Sequence, residues 1–339
     1  MTAVPAHRVV RAASAVLLAG ALAACGPLVA PAATTPASAG PSAPTPVAPG
    51  DAGRPLQMLA LLGQPGDMRL VWLDGDLRLS IPVPERDLRW ASGSAARGLV
   101  VTAGPDGRIL ATEPFAVGER PGWREIPIDP AARRWLGRPV AVAVADPASD
   151  AIAAIAADPG SGSADGHLAI LGRAGGPVRT ILFPGRWDGR APAWLDSGHI
   201  AISTRDLADS TGLAIVDLAS GDAVRRGDAV GAFAVSGDGR ALARQDRDDR
   251  IVHVGATDAL LAGEPPDPRE ALPVDPGSRL AAQLLLDATG RRLAVAWLDD
   301  AGDTTGYSTY EQGTGGWALV RSGVLPRGTS RAILISLGP

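Results

Sequence analysis

The sequence contains no lysine and no asparagine, so all 32 of its basic residues are arginine. Without lysine there is no Schiff-base residue, and without asparagine there is no Asn-x-Ser/Thr glycan acceptor. Cysteine occurs once, at Cys25, which excludes an internal disulfide framework and a zinc site built from cysteines. Histidine is nearly as scarce. His167, His199 and His253 stand alone in sequence with no H-x-x-x-H pair among them, the pattern of strand residues rather than metal ligands. No glycine-rich phosphate loop opens a helix, and Gly160-Ser161-Gly162-Ser163 lacks the G-x-S-x-G spacing of a nucleophile elbow.

What is present begins with a secretory pattern. His7, Arg8 and Arg11 place positive charge ahead of the apolar run Ala12 to Leu22, which no acidic residue interrupts. That run is about half the ~20 residues a membrane-spanning helix needs, so it reads as a signal segment over residues 1–24. Leu22, Ala23, Ala24 and Cys25 follow at once. This tetrapeptide resembles the lipobox of bacterial lipoproteins. The resemblance implies cleavage before Cys25, a covalent diacylglycerol on its sulfur and attachment to a bacterial membrane on the extracytoplasmic side. Acyl chains contribute about 0.8 kcal/mol per buried methylene, so such an anchor needs no protein helix.

Residues 25–55 are Pro, Ala, Ser and Thr with almost no charge, a composition that cannot bury a core and reads as a stalk. The remaining 56–339 are enough for one large all-β domain. Losing Arg8 and Arg11 with the signal takes the formal net charge from −4 to −6. An acidic balance of this kind argues against nucleic acid as a partner, since such binding normally needs a basic patch.

After the stalk, short apolar or alternating runs bounded by Gly, Asp and Pro predict strands at Gln57 to Leu62, Arg69 to Leu73, Gly98 to Thr102, Leu168 to Leu171, His199 to Ser203, Leu213 to Leu218, Arg250 to Val254 and Arg292 to Trp297. Hairpin turns are predicted at Asp74-Gly75, Asp106-Gly107, Asp188-Gly189, Gly221-Asp222 and Asp238-Gly239, where positive φ is cheap for Gly and tolerated by Asp. A two-strand unit recurs at Leu88 to Thr102, Ala141 to Ala156, Ala191 to Ser203, Ala232 to Arg244 and Ala281 to Trp297, roughly every 40–50 residues, the period of propeller blades.

The clearest copy, Ala232-Phe-Ala-Val-Ser-Gly-Asp-Gly-Arg-Ala-Leu-Ala, and a second at Leu284 to Val295 resemble the strand–Ser/Asp/Gly turn–strand core of TolB-like and WD40-like β-propeller repeats. The resemblance covers residues 88–322 and implies a β-propeller. Gln57 to Val83 holds three strand-like runs with no inner strand before them, and Arg331 to Leu337 is one strand left over. Placing that C-terminal strand innermost in the first blade predicts a ring of six four-stranded blades with its open edges paired.

No residue constellation announces catalysis. The acidic runs Asp246 to Asp249 and Asp299 to Asp303 fall in predicted turns without EF-hand spacing and read as solvated. Trp123, Trp135 and Trp187 lie in Pro/Gly/Arg-rich connections, and tryptophan beside arginine is enriched at interaction hot spots, which makes them candidate binding residues. The sequence therefore predicts a membrane-tethered propeller that binds a protein or envelope component, with no cofactor beyond the lipid on Cys25. Two alternatives stay open: a metal-dependent hydrolase or lactonase using the central channel, and a cell-wall carbohydrate binder.

Overall fold

The structure is a computed structural model. It describes residues 58–337 apart from 65–66, 75, 83–89, 95–98, 105, 114–120, 157–164, 173–176, 227–229, 247–250, 263–269, 273–279, 300–301, 326–328 and 330. The lipobox and Cys25 lie outside the described residues, as do the Gly160 to Ser163 run and part of the Asp246 to Asp249 run.

The strands assemble into six antiparallel sheets arranged as the blades of a β-propeller. The first blade joins the two ends of the domain: β1 (Met58–Gln64), β2 (Asp67–Asp74) and β3 (Asp76–Pro82) are completed on the inside by β25 (Arg331–Leu337). The second is β4 (Trp90–Ser94), β5 (Leu99–Ala103), β6 (Ile109–Thr112) and β7 (Trp123–Ile126), and helix α1 (Pro130–Leu136) follows it. The third is β8 (Val140–Ala145), β9 (Ala151–Ala156), β10 (Asp165–Gly172) and β11 (Pro177–Pro184). In the fourth the inner position is shared by β12 (Arg186–Trp187) and β13 (Ala193–Trp194), which both pair with β14 (His199–Arg205); β15 (Thr211–Asp217) and β16 (Ala223–Arg226) lie outside. The fifth is β17 (Val230–Val235), β18 (Ala241–Asp246), β19 (Val252–Ala256) and β20 (Glu270–Ala271), with helix α2 (Asp258–Ala262) before β20. The sixth is β21 (Ala281–Leu286), β22 (Arg292–Leu298), β23 (Thr304–Gly313) and β24 (Gly316–Val324).

Strand chemistry explains the packing. In a strand, successive side chains point to opposite faces, and a blade wedged between two others is buried on both. In β14, Ile200 and Ile202 pack toward the third blade while Ala201 packs toward the fifth; in β15, Ala214 and Val216 face the third blade while Leu213 and Ile215 face the fifth. The inner strand β8 alternates Val with Ala, small residues that suit the centre where six strands converge. The outer strand of the fourth blade is more polar, Ala223-Val224-Arg225-Arg226.

Six separate apolar clusters follow, one at each interface between neighbouring blades. An open arc of six blades has one interface fewer. The sixth cluster joins Ala294, Ala296 and Tyr307 of the last blade to Met58, Val71 and Leu334 of the first, so the ring is closed. The sequence-based expectation of six blades sealed by the C-terminal strand therefore holds.

One local expectation does not. Asp188-Gly189 is not a turn between strands but interrupts the inner strand of the fourth blade, between β12 and β13. Gly189 has the positive φ of 95° that the dipeptide suggested. The Asp188 carboxylate is buried, accepts a hydrogen bond from Ser203 Oγ at 2.7 Å and pairs with the Arg190 guanidinium. These bonds hold the chain out of the ladder for a few residues before it rejoins at Ala193.

Candidate functional site

Where the inner strands end and turn outward, they enclose a cavity of about 220 Å³ to which every blade contributes. Its wall is mostly apolar: Val144 and Pro192, Trp194 and Phe233, Leu285 and Ile335 are among the lining residues. Engineered cavities of about 150 Å³ accept benzene, so this space suits a group the size of a large apolar side chain.

The polar side chains around it are already engaged. Gln283 of β21 donates from Nε2 to the Leu334 carbonyl at 2.8 Å, and its Oε1 accepts from the Leu334 N–H at 2.7 Å. Ser92 of β4 makes the equivalent link between the second and third blades, donating to the Ala143 carbonyl at 3.2 Å and accepting from the Ala145 N–H at 3.3 Å. The Trp194 indole N–H donates to the Val144 carbonyl at 3.4 Å. Ser236 Oγ bonds Asp238 at 2.6 Å and accepts from the Ala241 N–H at 2.9 Å, and Asp287 accepts from the N–H groups of Arg291 and Arg292. Buried polar groups satisfied in this way stabilise the ring and leave the cavity with apolar contact as its main offering.

The turns that rim the cavity are the Ser/Asp/Gly segments of the repeat. Two neighbouring ones touch directly: the Asp238 N–H donates to the Ala288 carbonyl at 2.9 Å. Gly239, at φ 73°, passes so close to the fourth blade that an added Cβ would stand 1.9 Å from the Leu195 carbonyl oxygen. The dipeptide is therefore required by packing as well as by turn geometry.

The sequence-based candidates are spread over the molecule rather than brought together. Trp123 lies in the outer strand β7, half-buried, and packs against the core between the first two blades. Trp135 sits in α1, half-buried; its carbonyl bonds His167 Nδ1 at 2.6 Å and the two rings meet at a tilt of 31° with 5.3 Å between centroids. Trp187 is in β12, where its indole N–H donates to the Arg190 carbonyl at 2.5 Å and its ring packs on the core between the third and fourth blades. None of the three lines the cavity.

His167, His199 and His253 fall in three different blades, and His199 bonds its neighbour Asp196 at 3.0 Å. Among the described residues, no three His, Cys, Asp or Glu side chains converge to hold a metal ion. Between β22 and β23 the Asp299 N–H donates to the Asp303 carbonyl at 2.8 Å, so these two ends of the acidic run are joined through the backbone.

Three turn carboxylates are held below the ordinary aspartate range. For Asp206 the main cause is the Arg225 guanidinium at 2.6 Å, helped by the N–H groups of Ser210 and Ala208. Asp217 is held down chiefly by the N–H groups of Ser220 and Ala219, and Asp106 by the N–H and side chain of Arg108. These aspartates fix turns and do not approach the cavity.

Among the described residues, no helix is long and apolar enough to cross a membrane. The sequence matches no described protein family and no curated protein. Solved structures that it resembles include a TolB candidate from Agrobacterium tumefaciens, at 12% identity over 85% of this chain and 99% of that one, with a TM-score of 0.47. The Dos1 propeller is similar at 11% identity over 80% of this chain and 69% of that one, with a TM-score of 0.45. The propeller domain of Cps50 (Swd1) from Myceliophteria thermophila is similar at 15% identity over 79% and 83%, with a TM-score of 0.48. The propeller fold stands on the strand order and interfaces above, independently of these likenesses.

Proposed function

We propose that this chain is a lipid-anchored extracytoplasmic propeller that binds an envelope protein by receiving an apolar side chain in its central cavity. The observation that carries the reading is the cavity itself: six blades build an apolar recess whose polar side chains are engaged in hydrogen bonds within and between the blades. A site of this kind offers shape and desolvation, the basis of binding hot spots, rather than acid, base or nucleophile.

The anchor half of the proposal is supported by the lipobox-like Leu22 to Cys25 and by the stalk that follows. Met58, where the described chain begins, pairs with Leu337, which lines the cavity. The described chain thus enters β1 at the end of the ring on which the cavity opens.

Two experiments test the halves separately. Growth with a clickable fatty acid should label the chain, and Cys25→Ser should abolish the label; equal labelling of both would sink the anchor. A photo-crosslinking residue at Val235, on the cavity wall, should capture one defined partner in the intact envelope, and Leu285→Trp, which fills the mouth, should suppress that adduct. An adduct that survives Leu285→Trp, or that forms as readily from Thr180 on the outer strand β11, would show that the cavity is not the binding site.

A further inference from the structure

A second recess of about 380 Å³ lies at the opposite end of the ring, where the β5–β6 turn meets the end of α1 and the start of β8. Its floor is rigid. Ile128, Leu136 and Val140 are buried beneath it, and Gly107 is pressed so closely on the next blade that a Cβ there would sit 2.7 Å from Pro139. Around this floor stand Arg133, Arg134 and Arg138, all exposed.

Among the described residues none of these three guanidinium groups has an ion-pair partner. The recess has one carboxylate, Asp106, and it is engaged by Arg108, whose Nε lies 2.5 Å from Oδ2. The carbonyl end of α1 attracts cations, but its field is equivalent to about half a negative charge. Gly137, at φ 65°, also caps that end through its own N–H to the Arg133 carbonyl at 3.2 Å. Three full positive charges therefore border one recess with far less than one charge to balance them, in a chain whose formal charge is −4.

We propose that this recess is a phosphate-binding site, taking the phosphate group either of a lipid headgroup or of a soluble phosphate ester. Guanidinium forks match the oxygens of a phosphate in pairs, a geometry that monoester and diester phosphates share, where a single lysine would offer only a point charge. Gly107 and Pro139 close the recess on the side of the β5–β6 turn. The site is independent of the apolar cavity, so either can fail without the other.

Trp135, between Arg134 and Leu136, supplies a reporter. Pyrophosphate titrated into the full chain at low ionic strength should change tryptophan emission saturably, and Trp135→Phe should remove that change while calorimetry still detects binding. Arg134→Gln with Arg138→Gln should weaken binding at least tenfold with an unchanged unfolding midpoint. The Arg134→Lys, Arg138→Lys chain should keep part of the affinity, which separates charge from fork geometry and covers the case in which the glutamine variant folds poorly. In a second arm the Cys25→Ser chain is sedimented with phosphatidylglycerol or phosphatidylcholine vesicles. Excess binding to phosphatidylglycerol that disappears with the two arginines identifies a headgroup; a pyrophosphate response without that excess identifies a soluble ligand. If neither pyrophosphate nor phosphatidylglycerol distinguishes the parent chain from the arginine variants, the recess is only a solvated basic surface and the proposal is wrong.

Discussion

Gln283 pairs with Leu334 as an extra strand residue would, its carboxamide meeting both the N–H and the carbonyl of a strand in the neighbouring blade at 2.7 and 2.8 Å. The bond joins the sixth blade to the first, across the seam where the ring closes. Gln283→Leu leaves a buried donor and a buried acceptor unpaired, each costing about 1–3 kcal/mol. The expected result in a denaturant melt is a loss of about 2–4 kcal/mol, with the midpoint shifted and the slope retained. A loss under half a kilocalorie would mean that water replaces the pair without penalty.

The closing strand itself is the second test. Ending the chain after Ser330 removes β25, uncovers one edge of β1 and takes Ala332, Leu334 and Leu337 from one interface and Ile333 and Ile335 from another. Two of six cores lose their inner wall. The truncated chain should unfold without a cooperative transition or aggregate through the open edge. A peptide of residues 331–337 added in trans should restore part of the protease resistance.

Gly239→Ala tests the contact between turns. The new Cβ would meet the Leu195 carbonyl oxygen at 1.9 Å on a backbone with positive φ, so the turn or the fourth blade must move. A destabilisation of about 2 kcal/mol or more is expected in thermal unfolding. Gly302→Ala, at φ 86° with open space around it, should cost less because only backbone strain is added.

The clamp between Asp206 and Arg225 gives a pH signature. Because the folded carboxyl titrates below its unfolded value near 3.8, its stabilisation is complete above that value and fades as the pH falls through the folded one. Arg225→Gln should move the Asp206 titration, followed by NMR, back toward the ordinary range. It should also flatten the dependence of unfolding temperature on pH below about 4. An unmoved Asp206 in that variant would assign the effect to the Ser210 and Ala208 amides alone.

Blade number and closure were legible because turn chemistry and period-2 burial are local. Asp238-Gly239 and the flanking Phe233 and Leu242 look alike in sequence and in space. The same dipeptide misleads at Asp188-Gly189, since what distinguishes a turn from an interrupted strand there is the pairing of Asp188 with Ser203, 15 residues away. Helix α1 carried signals that could have revealed it: Asp129 accepts from the Ala131 and Ala132 N–H groups, Pro130 opens the helix and Gly137 ends it. Seven residues are too short for helical periodicity to show. The cavity was not legible at all, because its lining depends on the register of six strands distant in sequence. Trp123, Trp135 and Trp187 attracted notice as rare residues beside arginines, yet each is partly absorbed by a different interior.

The place of Met58 has a mechanical meaning. β1 runs between β25 and β2 and is antiparallel to both, with Met58 opposite Leu337 on one side and Leu73 on the other. A load applied to Met58 along the axis of β1 would meet its two hydrogen-bond ladders in shear rather than peel them one rung at a time. The strand that seals the circle is thus also one of the two that would hold the domain's first strand against such a load.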